Sequence, residues 1–421
     1  MTYNNLCKLY GVEKKVLKLI KSSEEALASK FEELELLQEN NFYRVVKALQ
    51  DNNLNYSHFY WNTGYGYNDS GREVVEKIYA SLFGTEDAIV RPIIASGTHA
   101  LYLTLSGLLK HGDEIVSISG DPYDTMMTIL GESGNEPNNL KELGIKYSKI
   151  DLINDRDFDF EKIKRTIDSN TKLIMIQRSM GYKTRKSLRV EQIENVISLI
   201  KEINENIIIM ADNCYGEFVE DREPSHVGAD VVVGSLIKNP GGGLALSGGY
   251  IVGNESIIHK IANRMTSPGI GKEIGLMFDQ SRNILQGLFL APRTTVSALK
   301  GSILFSHVFE KLGYEVFPKP LDDRGDIIQS ITFKNRENLI SFCEEIQKAS
   351  PVDSNVKPIP WGMPGYEDDV IMAAGTFIQG ASIELSADAP IREPYTAFLQ
   401  GGLVYEHSKL ALSLILNRIM D

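Results

Sequence analysis

The most informative stretch of the sequence is Gly234–Gly243, which reads GSLIKNPGGG and directly follows the apolar run Asp230–Val233. A lysine at the end of a buried strand, set in a glycine-rich turn, loses contact with water, and this desolvation lowers the pKa of its amine. The sequence therefore predicts Lys238 as a nucleophile whose neutral amine attacks a carbonyl carbon. The alternative is an ordinary exposed loop lysine, the environment of most lysines.

A second candidate lies upstream, where the apolar run Ile207–Ala211 ends in Asp212. In an open α/β sheet, ligands bind beyond the carboxyl ends of the strands, so an aspartate at this point is well placed for ligand contact. The alternative for Asp212 is a helix N-cap without a ligand.

A third candidate is the small-residue turn Ser96, Gly97 and Thr98, between a predicted strand and a predicted helix. Free backbone N–H groups and the helix dipole make such a helix start an anion site suited to phosphate. Ser96 and Thr98 are equally interpretable as ordinary helix caps.

Short runs rich in Val and Ile alternate with helix-length segments such as Val190–Ile203, and this alternation predicts an α/β fold with a mostly parallel sheet covered by helices. Beyond Pro292 the pattern changes, and we expect a smaller α/β domain with strands near 327–333, 370–376 and 382–385. The expected organisation is a helical arm with the start of an aromatic loop (1–64), a large domain (65–291) and a small C-terminal domain (292–421). The seven strand-like runs of the large domain are 88–94, 114–119, 145–150, 172–177, 206–211, 230–234 and 248–252.

The composition excludes several functional classes. A net charge of -12 argues against nucleic acid and anionic membrane as partners, because those surfaces attract clustered Lys and Arg. Cys7, Cys214 and Cys343 are too widely spaced for a zinc cluster, and we expect no metal site. The chain has neither a secretory signal nor a membrane-spanning apolar stretch, so we expect a cytoplasmic protein.

The order of these features resembles the fold type I enzymes that use pyridoxal 5′-phosphate (PLP), particularly the cystathionine synthase and lyase group. The resemblance covers roughly Tyr65 to Tyr250. The segments Gln177–Ser179, Asp212–Phe218 and Asp388–Arg392 are similar, more narrowly, to the bacterial aluminium resistance or methionine γ-lyase-like family. The fold implied is a seven-stranded, mostly parallel sheet with a smaller C-terminal α/β domain.

The resemblance implies a role for each matching residue. Lys238 would carry PLP as a Schiff base, Asp212 would partner the pyridine nitrogen, and Tyr123 would stack on the cofactor ring. Tyr65 and Tyr67 correspond loosely to a tyrosine that reaches the phosphate in the neighbouring subunit. Further phosphate contacts would come from Ser96, Gly97, Thr98 and Ser235.

The sequence departs from this pattern at two places. The hydroxyl residue that the group carries just before its lysine is Ile237 here, so one phosphate contact is missing or comes from elsewhere. The turn after the strand 172–176 is also different, and Arg178 is a candidate substitute for the contact to the phenolic oxygen of the cofactor. A charged loop residue is the alternative for Arg178.

Recognition of a free amino acid requires a group that binds its α-carboxylate, and a planar guanidinium does so with paired hydrogen bonds. We favour Arg392 for this role over Arg293, because Pro390 and Pro394 would hold Arg392 in a rigid loop. A salt bridge to Glu393 is the alternative.

The resemblance implies a carbon–sulfur lyase that acts on a small sulfur-containing amino acid by β or γ elimination, in a homodimer or homotetramer with shared active sites. Fold alone does not choose among PLP reactions, so an aminotransferase or desulfurase remains open. A non-enzymatic metal-resistance protein is the third possibility, although the sequence shows no clustered carboxylates for hard-cation ligation.

Overall fold

The computed structural model describes residues 4–363, 366 and 368–420, and its larger part is an α/β structure built on seven strands. The strands are β1 (Asp87–Arg91), β2 (Glu114–Ser117), β3 (Lys146–Lys149), β4 (Thr171–Gln177), β5 (Ile208–Asp212), β6 (Val231–Ser235) and β7 (Gly249–Gly253). Their order across the sheet is β1-β7-β6-β5-β4-β2-β3. Strands β2 to β6 are parallel, and β7 is antiparallel to both β1 and β6. The predicted seven-stranded, mostly parallel sheet is confirmed.

Helices cover this sheet, because each has an apolar face at helical spacing. In the helix Val190–Ile203, whose bounds match the prediction, Ile193, Val196 and Ile200 are buried against the sheet. A second helix begins at Gly97, directly after β1, and its start faces the carboxyl ends of the parallel strands. The arm and the large sheet carry nine helices in the described chain: α1 (Asn4–Tyr10), α2 (Lys14–Ala26), α3 (Ala28–Asp51), α4 (Ser70–Phe83), α5 (Gly97–Leu108), α6 (Asp124–Leu130), α7 (Phe160–Thr166), α8 (Val190–Ile203) and α9 (Glu255–Met265).

The C-terminal part contains a second, antiparallel sheet of order β10-β11-β12-β9-β8. The predicted strand 382–385 is wrong, because the N–H of Glu384 donates to the carbonyl of Ala381 and closes a turn. The apolar alternation of Ile383 and Leu385 reflects burial rather than strand pairing. The elements of this part are α10 (Ser281–Lys311), β8 (Glu315–Phe317), β9 (Gln329–Thr332), α11 (Arg336–Ala349), β10 (Val370–Ala373), β11 (Ser386–Pro390), β12 (Thr396–Gln400) and α12 (Tyr405–Met420).

The N-terminal arm packs on this C-terminal part. Val16 and Ile20 of α2 lie in the same apolar core as the buried residues of α12. The N–H of Glu13 donates to Asn417 Oδ1 at 2.8 Å, and Lys15 Nζ donates to the carbonyl of Met420 at 2.9 Å. The two ends of the chain therefore share one hydrophobic core.

Helix α10 connects the two sheets without interruption. It is 31 residues long and continues through Pro292, so the expected domain boundary at 291/292 falls inside it. Its first half contributes Ile284 and Leu288 to the core of the large sheet, and its second half contributes Ile303 and Phe309 to the second core. A displacement of this helix would act on both cores.

The described part of the chain contains neither a membrane-spanning helix nor a cluster of metal ligands. None of its helices combines the length and apolarity needed to cross a bilayer. Within residues 4–363, 366 and 368–420, no three His, Cys, Asp or Glu side chains converge as metal ligands. All three cysteines are free thiols, and Cys214 and Cys343 are buried.

The glycine run Gly241–Gly243, which follows Lys238, packs directly on α10. A Cβ atom added to Gly287 of α10 would collide with the carbonyl oxygen of Gly241, and one added to Gly242 would collide with the carbonyl of Gly287. Gly242 also has a φ of 53°, in the left-handed region that glycine adopts most easily. The turn that follows Lys238 is therefore fixed by backbone-to-backbone contact with the helix.

Substitution of Gly287 by Ala tests this contact. Although Ala is the better helix former by about 1 kcal/mol, the clash should destabilise the protein by a net of about 1–3 kcal/mol, measured by urea unfolding. Gly362→Ala is the matched control, because a Cβ atom there meets nothing closer than 3.8 Å. Unchanged stability of Gly287→Ala would show that the turn is not held by this packing.

Candidate active site

A cavity of about 280 Å³ opens beyond the carboxyl ends of β4, β5 and β6. The last residues of these three strands, Gln177, Asp212 and Ser235, all line it. The start of α5 closes another side. Carboxyl ends of parallel strands are the usual ligand-binding edge of an α/β sheet, so this cavity is the candidate active site.

Lys238 lies in this cavity three residues beyond the end of β6, with its Nζ atom 3.9 Å from the centroid of the Tyr215 ring. Burial alone lowers the pKa of Lys238, but Cys214, Tyr215, Asp212 and Tyr123 around the amine raise it, and the pKa lies well above its ordinary value. The expected lowering of the pKa is therefore wrong. The carboxylate of Asp212 is the charge that favours the ammonium form.

Asp212 is buried in the same cavity. Burial raises the pKa of Asp212, while Lys238 and the N–H of Cys214, which donates to Asp212 Oδ1 at 3.1 Å, oppose that rise. These two partners favour the carboxylate form. The segment directly after β5 is a turn and not a helix, so the helix N-cap interpretation of Asp212 is wrong. Its side chain lines the cavity.

The start of α5 supplies the third group of predicted residues. Ser96 is the helix cap, since its Oγ atom accepts the N–H of His99 at 3.1 Å. A Cβ atom on Gly97 would lie 3.2 Å from Cys214 Sγ and 3.2 Å from Ser235 Cβ, so glycine allows the helix start to approach the ends of β5 and β6. Ser96, Gly97 and Thr98 of this helix start line the cavity.

Tyr123 reaches the cavity from the start of α6. Its hydroxyl and that of Thr98 are hydrogen-bonded at 2.7 Å, and its backbone N–H donates to Gln177 Oε1 at 3.0 Å. Burial first, and then the charge of Asp212, raise the pKa of the Tyr123 hydroxyl far above its ordinary value. The phenol is therefore neutral at physiological pH and can donate a hydrogen bond.

The structure brings most of the predicted site residues together, although Tyr65 and Tyr67 lie elsewhere. Those two side chains are 79% and 72% exposed, outside the cavity of their own chain. The predicted residues that line the cavity are Ser96, Gly97, Thr98, Tyr123, Asp212, Ser235 and Lys238.

Arg178 has a structural role in place of the predicted cofactor contact. Its guanidinium is fully buried away from the cavity and donates to Asn213 Oδ1 at 2.8 Å and to the carbonyl of Gly216 at 2.7 Å. It also forms ion pairs with Glu220 and Glu223, at 2.7 and 3.4 Å. With its donors used in this way, Arg178 ties the segment after β4 to the turn after β5.

The structure does not bring Arg392 to the cavity either. Its side chain is 52% exposed, and its guanidinium pairs with Asp368 at 3.0 Å rather than with Glu393. The alternative, Arg293, lines a separate surface groove beside α3. Among the described residues that line the cavity, Lys238 is the one cationic side chain.

Several residues that line the cavity are not among the predicted site residues. Gln177 closes β4 as Asp212 closes β5, so its position at a strand end is a signal that could have found it. Tyr215 and Tyr182 lie in irregular segments, and the sequence carries no comparable signal for them. The residues not predicted as site residues are Thr125, Gln177, Ser179, Gly181, Tyr182, Cys214, Tyr215, Ile237, Tyr366 and Gly380.

Glu217, five residues after Asp212, carries another buried carboxyl group. Glu217 is fully buried, and its Oε1 atom accepts the hydroxyl of Tyr250 at 2.8 Å, while its Oε2 atom has no hydrogen-bond partner among the described residues. Burial raises the pKa of Glu217 to about 8. A Cβ atom on Gly234 would overlap the Tyr250 ring, which explains the glycine four residues before Lys238.

The raised pKa of Glu217 predicts a pH-dependent cost in stability. Between its ordinary pKa of 4.5 and about 8, the folded chain keeps a proton at Glu217 that the unfolded chain has lost, so stability falls as pH rises through this range. Glu217→Gln should therefore gain stability relative to the wild type on the order of 1 kcal/mol per pH unit there. Denaturant unfolding at pH 5, 6.5 and 8 measures the gain. The exposed Glu202→Gln serves as control, and a pH-independent difference for Glu217→Gln would contradict the raised pKa.

Comparisons with known proteins agree with this geometry. The methionine gamma-lyase family model matches residues 16–420. The uncharacterized protein YnbB of Bacillus subtilis is 50% identical over 396 residues, which cover 94% of each chain. The crystal structure of a carbon-sulfur lyase involved in aluminum resistance from Clostridium novyi is 45% identical, has a TM-score of 0.94 and covers 98% of both chains.

A more distant likeness shows the fold alone. The PLP-dependent protein YhfS from Escherichia coli has a TM-score of 0.62 at 18% identity and covers 92% of this chain and 97% of its own. The fold type I architecture expected from the sequence is thereby confirmed, as is the resemblance on which that expectation was based. From its sequence, its fold and the extent of the match, the chain belongs to the methionine gamma-lyase family.

Proposed function

We propose that this protein is a PLP-dependent carbon–sulfur lyase that eliminates a thiol from the β or γ carbon of a small sulfur-containing amino acid. The observation that supports this most directly is the convergence of Lys238 and Asp212 with the start of α5 in one cavity. The family match over residues 16–420 supports the reaction class.

The donor set of the cavity fits PLP group by group. Lys238 would hold the cofactor covalently through its amine, and the carboxylate of Asp212 suits a protonated pyridine nitrogen. Neutral donors at the start of α5 suit a phosphate. The close approach that Gly97 allows keeps these donors within one small cavity. Further phosphate donors would be the hydroxyls of Ser96, Thr98 and Ser235.

When bound, PLP supplies an electron sink for the electron pair that remains on Cα after loss of a proton. The chain supplies the groups around that sink. The amine of Lys238 would remove the α-proton and hold it at Nζ as general base. Asp212 would keep its negative charge beside the pyridine nitrogen. The ring of Tyr123 would stack on the cofactor ring, and its neutral hydroxyl would donate a hydrogen bond.

The cavity of one chain lacks a second cation for the phosphate or the substrate carboxylate, since Lys238 is the one cationic side chain among its described lining residues. This supports a homo-oligomer with shared sites, because Tyr65 and Tyr67 are exposed and available to a second copy. A dimer and a tetramer both satisfy this requirement. The α-carboxylate would then meet neutral donors of this chain or groups of the second copy.

The attachment of PLP is testable by reduction. The purified protein should be yellow, and borohydride should remove the colour, because reduction converts the lysine-bound cofactor into a stable secondary amine. Peptide mass spectrometry should then find one pyridoxyl-labelled peptide, which contains Lys238. Lys183→Ala is a control that should leave the label in place, because Lys183 donates to the carbonyl of Asp121 outside the cavity. A label on another lysine would refute the assignment.

The reaction is testable with cysteine, cystathionine, methionine and homocysteine, with keto acid, ammonia and thiol measured together. A lyase releases all three from at least one of these amino acids without added keto acid, whereas turnover that requires a keto acid would indicate aminotransfer. Asp212→Asn should still bind PLP but lose roughly a hundredfold or more in kcat, because an amide does not stabilise the protonated pyridine. Asp51→Asn, at an exposed position, is the control and should retain wild-type rates. Near-normal turnover of Asp212→Asn would show that Asp212 has no role in the reaction.

A further inference from the structure

Tyr215 has a backbone conformation that residues other than glycine rarely adopt. It lies three residues beyond the end of β5, and its φ of 71° is in the left-handed region. A bulky residue in this region is strained, and such strain persists only where the surroundings hold it, most often at functional sites. The position of the Tyr215 ring is therefore a feature that requires explanation.

The constraint on Tyr215 comes from the residue next to Lys238. Asn239 is buried, and its Nδ2 atom donates to the carbonyl of Tyr215 at 3.0 Å and to the carbonyl of Glu217 at 2.9 Å. The two turns that follow β5 and β6 are thus tied together. Any movement of the Lys238 turn would also move the backbone of Tyr215.

The tied turns place the Tyr215 ring beneath the amine of Lys238. The Nζ atom is 3.9 Å from the ring centroid, well within the ~6 Å at which a cation is attracted to an aromatic face. That attraction acts on the ammonium form and not on the neutral amine. Tyr215 and Lys238 are both half-buried, so the contact is partly shielded from water, which strengthens it.

Other groups face the same amine from neighbouring elements. Asp212 approaches from β5, Cys214 from the turn after it, and Tyr123 from the start of α6. Glu217 and Asp388 also respond to the charge of Lys238. Of these groups, Asp212 has its own role toward the cofactor, whereas the ring of Tyr215 lies directly against the amine.

We propose that Tyr215 is a positioning residue for Lys238, whose ring face holds the unbonded amine at the cavity floor in its ammonium form. This inference rests on the proposed function, in which Lys238 takes the α-proton: the Cα–H bond breaks, an N–H bond forms at Nζ, and the electron pair stays on the substrate. The ring then keeps that proton on Lys238 while the C–S bond breaks and the sulfur leaves with the bonding electron pair as a thiolate. The strained turn serves to present the ring.

The test is the rate at which full-length protein, stripped of cofactor with hydroxylamine, captures added PLP covalently. Only the neutral amine reacts, so a group that favours the ammonium form slows capture. Tyr215→Leu, which lacks the ring, should capture PLP about 3- to 30-fold faster than the wild type at pH 8. Tyr215→Phe, the matched control that keeps the ring, should stay within about twofold of the wild type.

The outcomes separate this inference from the proposed function. Capture by Tyr215→Leu at the wild-type rate or slower would overturn the inference, as would a Tyr215→Phe variant that behaves like Tyr215→Leu, since the hydroxyl would then carry the effect. If Tyr215→Leu does not fold, Tyr215→Met, which is also unbranched at Cβ and without a ring, is interpreted in the same way. Failure of the wild type to capture PLP at Lys238 would refute the proposed function itself.

Discussion

The charge of Lys238, which is half-buried in the cavity, is the constraint on which the rest of the site depends. An ammonium group taken out of water is stable only when opposite charge and polarisable groups surround it, because desolvation otherwise drives off its proton. The chain meets this requirement by ending β5 in Asp212, one strand away from the strand that Lys238 follows. The aromatic face of Tyr215 covers the amine from another side. The same arrangement places a carboxylate and an amine in one cavity at the carboxyl ends of the strands.

The parts of the fold and site that follow from local pattern could be predicted from the sequence. Runs of Val and Ile identified all seven strands of the large sheet, and residues at strand ends identified Asp212 and the Lys238 turn. The parts that depend on distant contacts could not be predicted. Arg178 resembles a ligand-binding residue until the positions of Glu220 and Glu223 are known, since these acids lie more than 40 residues away in the chain.

Contacts between distant parts of the chain also explain the other predictions that differ from the structure. Arg392 lies in a proline-bounded loop as expected, but only the folded chain shows that Asp368 neutralises it at the surface. The pKa of Lys238 was expected to fall because burial could be anticipated, whereas the groups that reverse the shift come from three separate elements. The conformation of Tyr215 depends on Asn239, 24 residues further along the chain. The sequence near Tyr215 gives no sign of this restraint.

The core that α2 and α12 share has a consequence for synthesis of the protein. Helix α2 buries Val16 and Ile20 against residues of α12, and Glu13 is hydrogen-bonded to Asn417, 404 positions later. During translation α2 is made long before α12, so its apolar face remains without this partner in the meantime. Contacts of such long sequence separation form slowly, and exposed apolar surface favours aggregation during the delay. Until α12 has been made, the apolar face of α2 therefore lacks this partner, and the core that the two helices share cannot form.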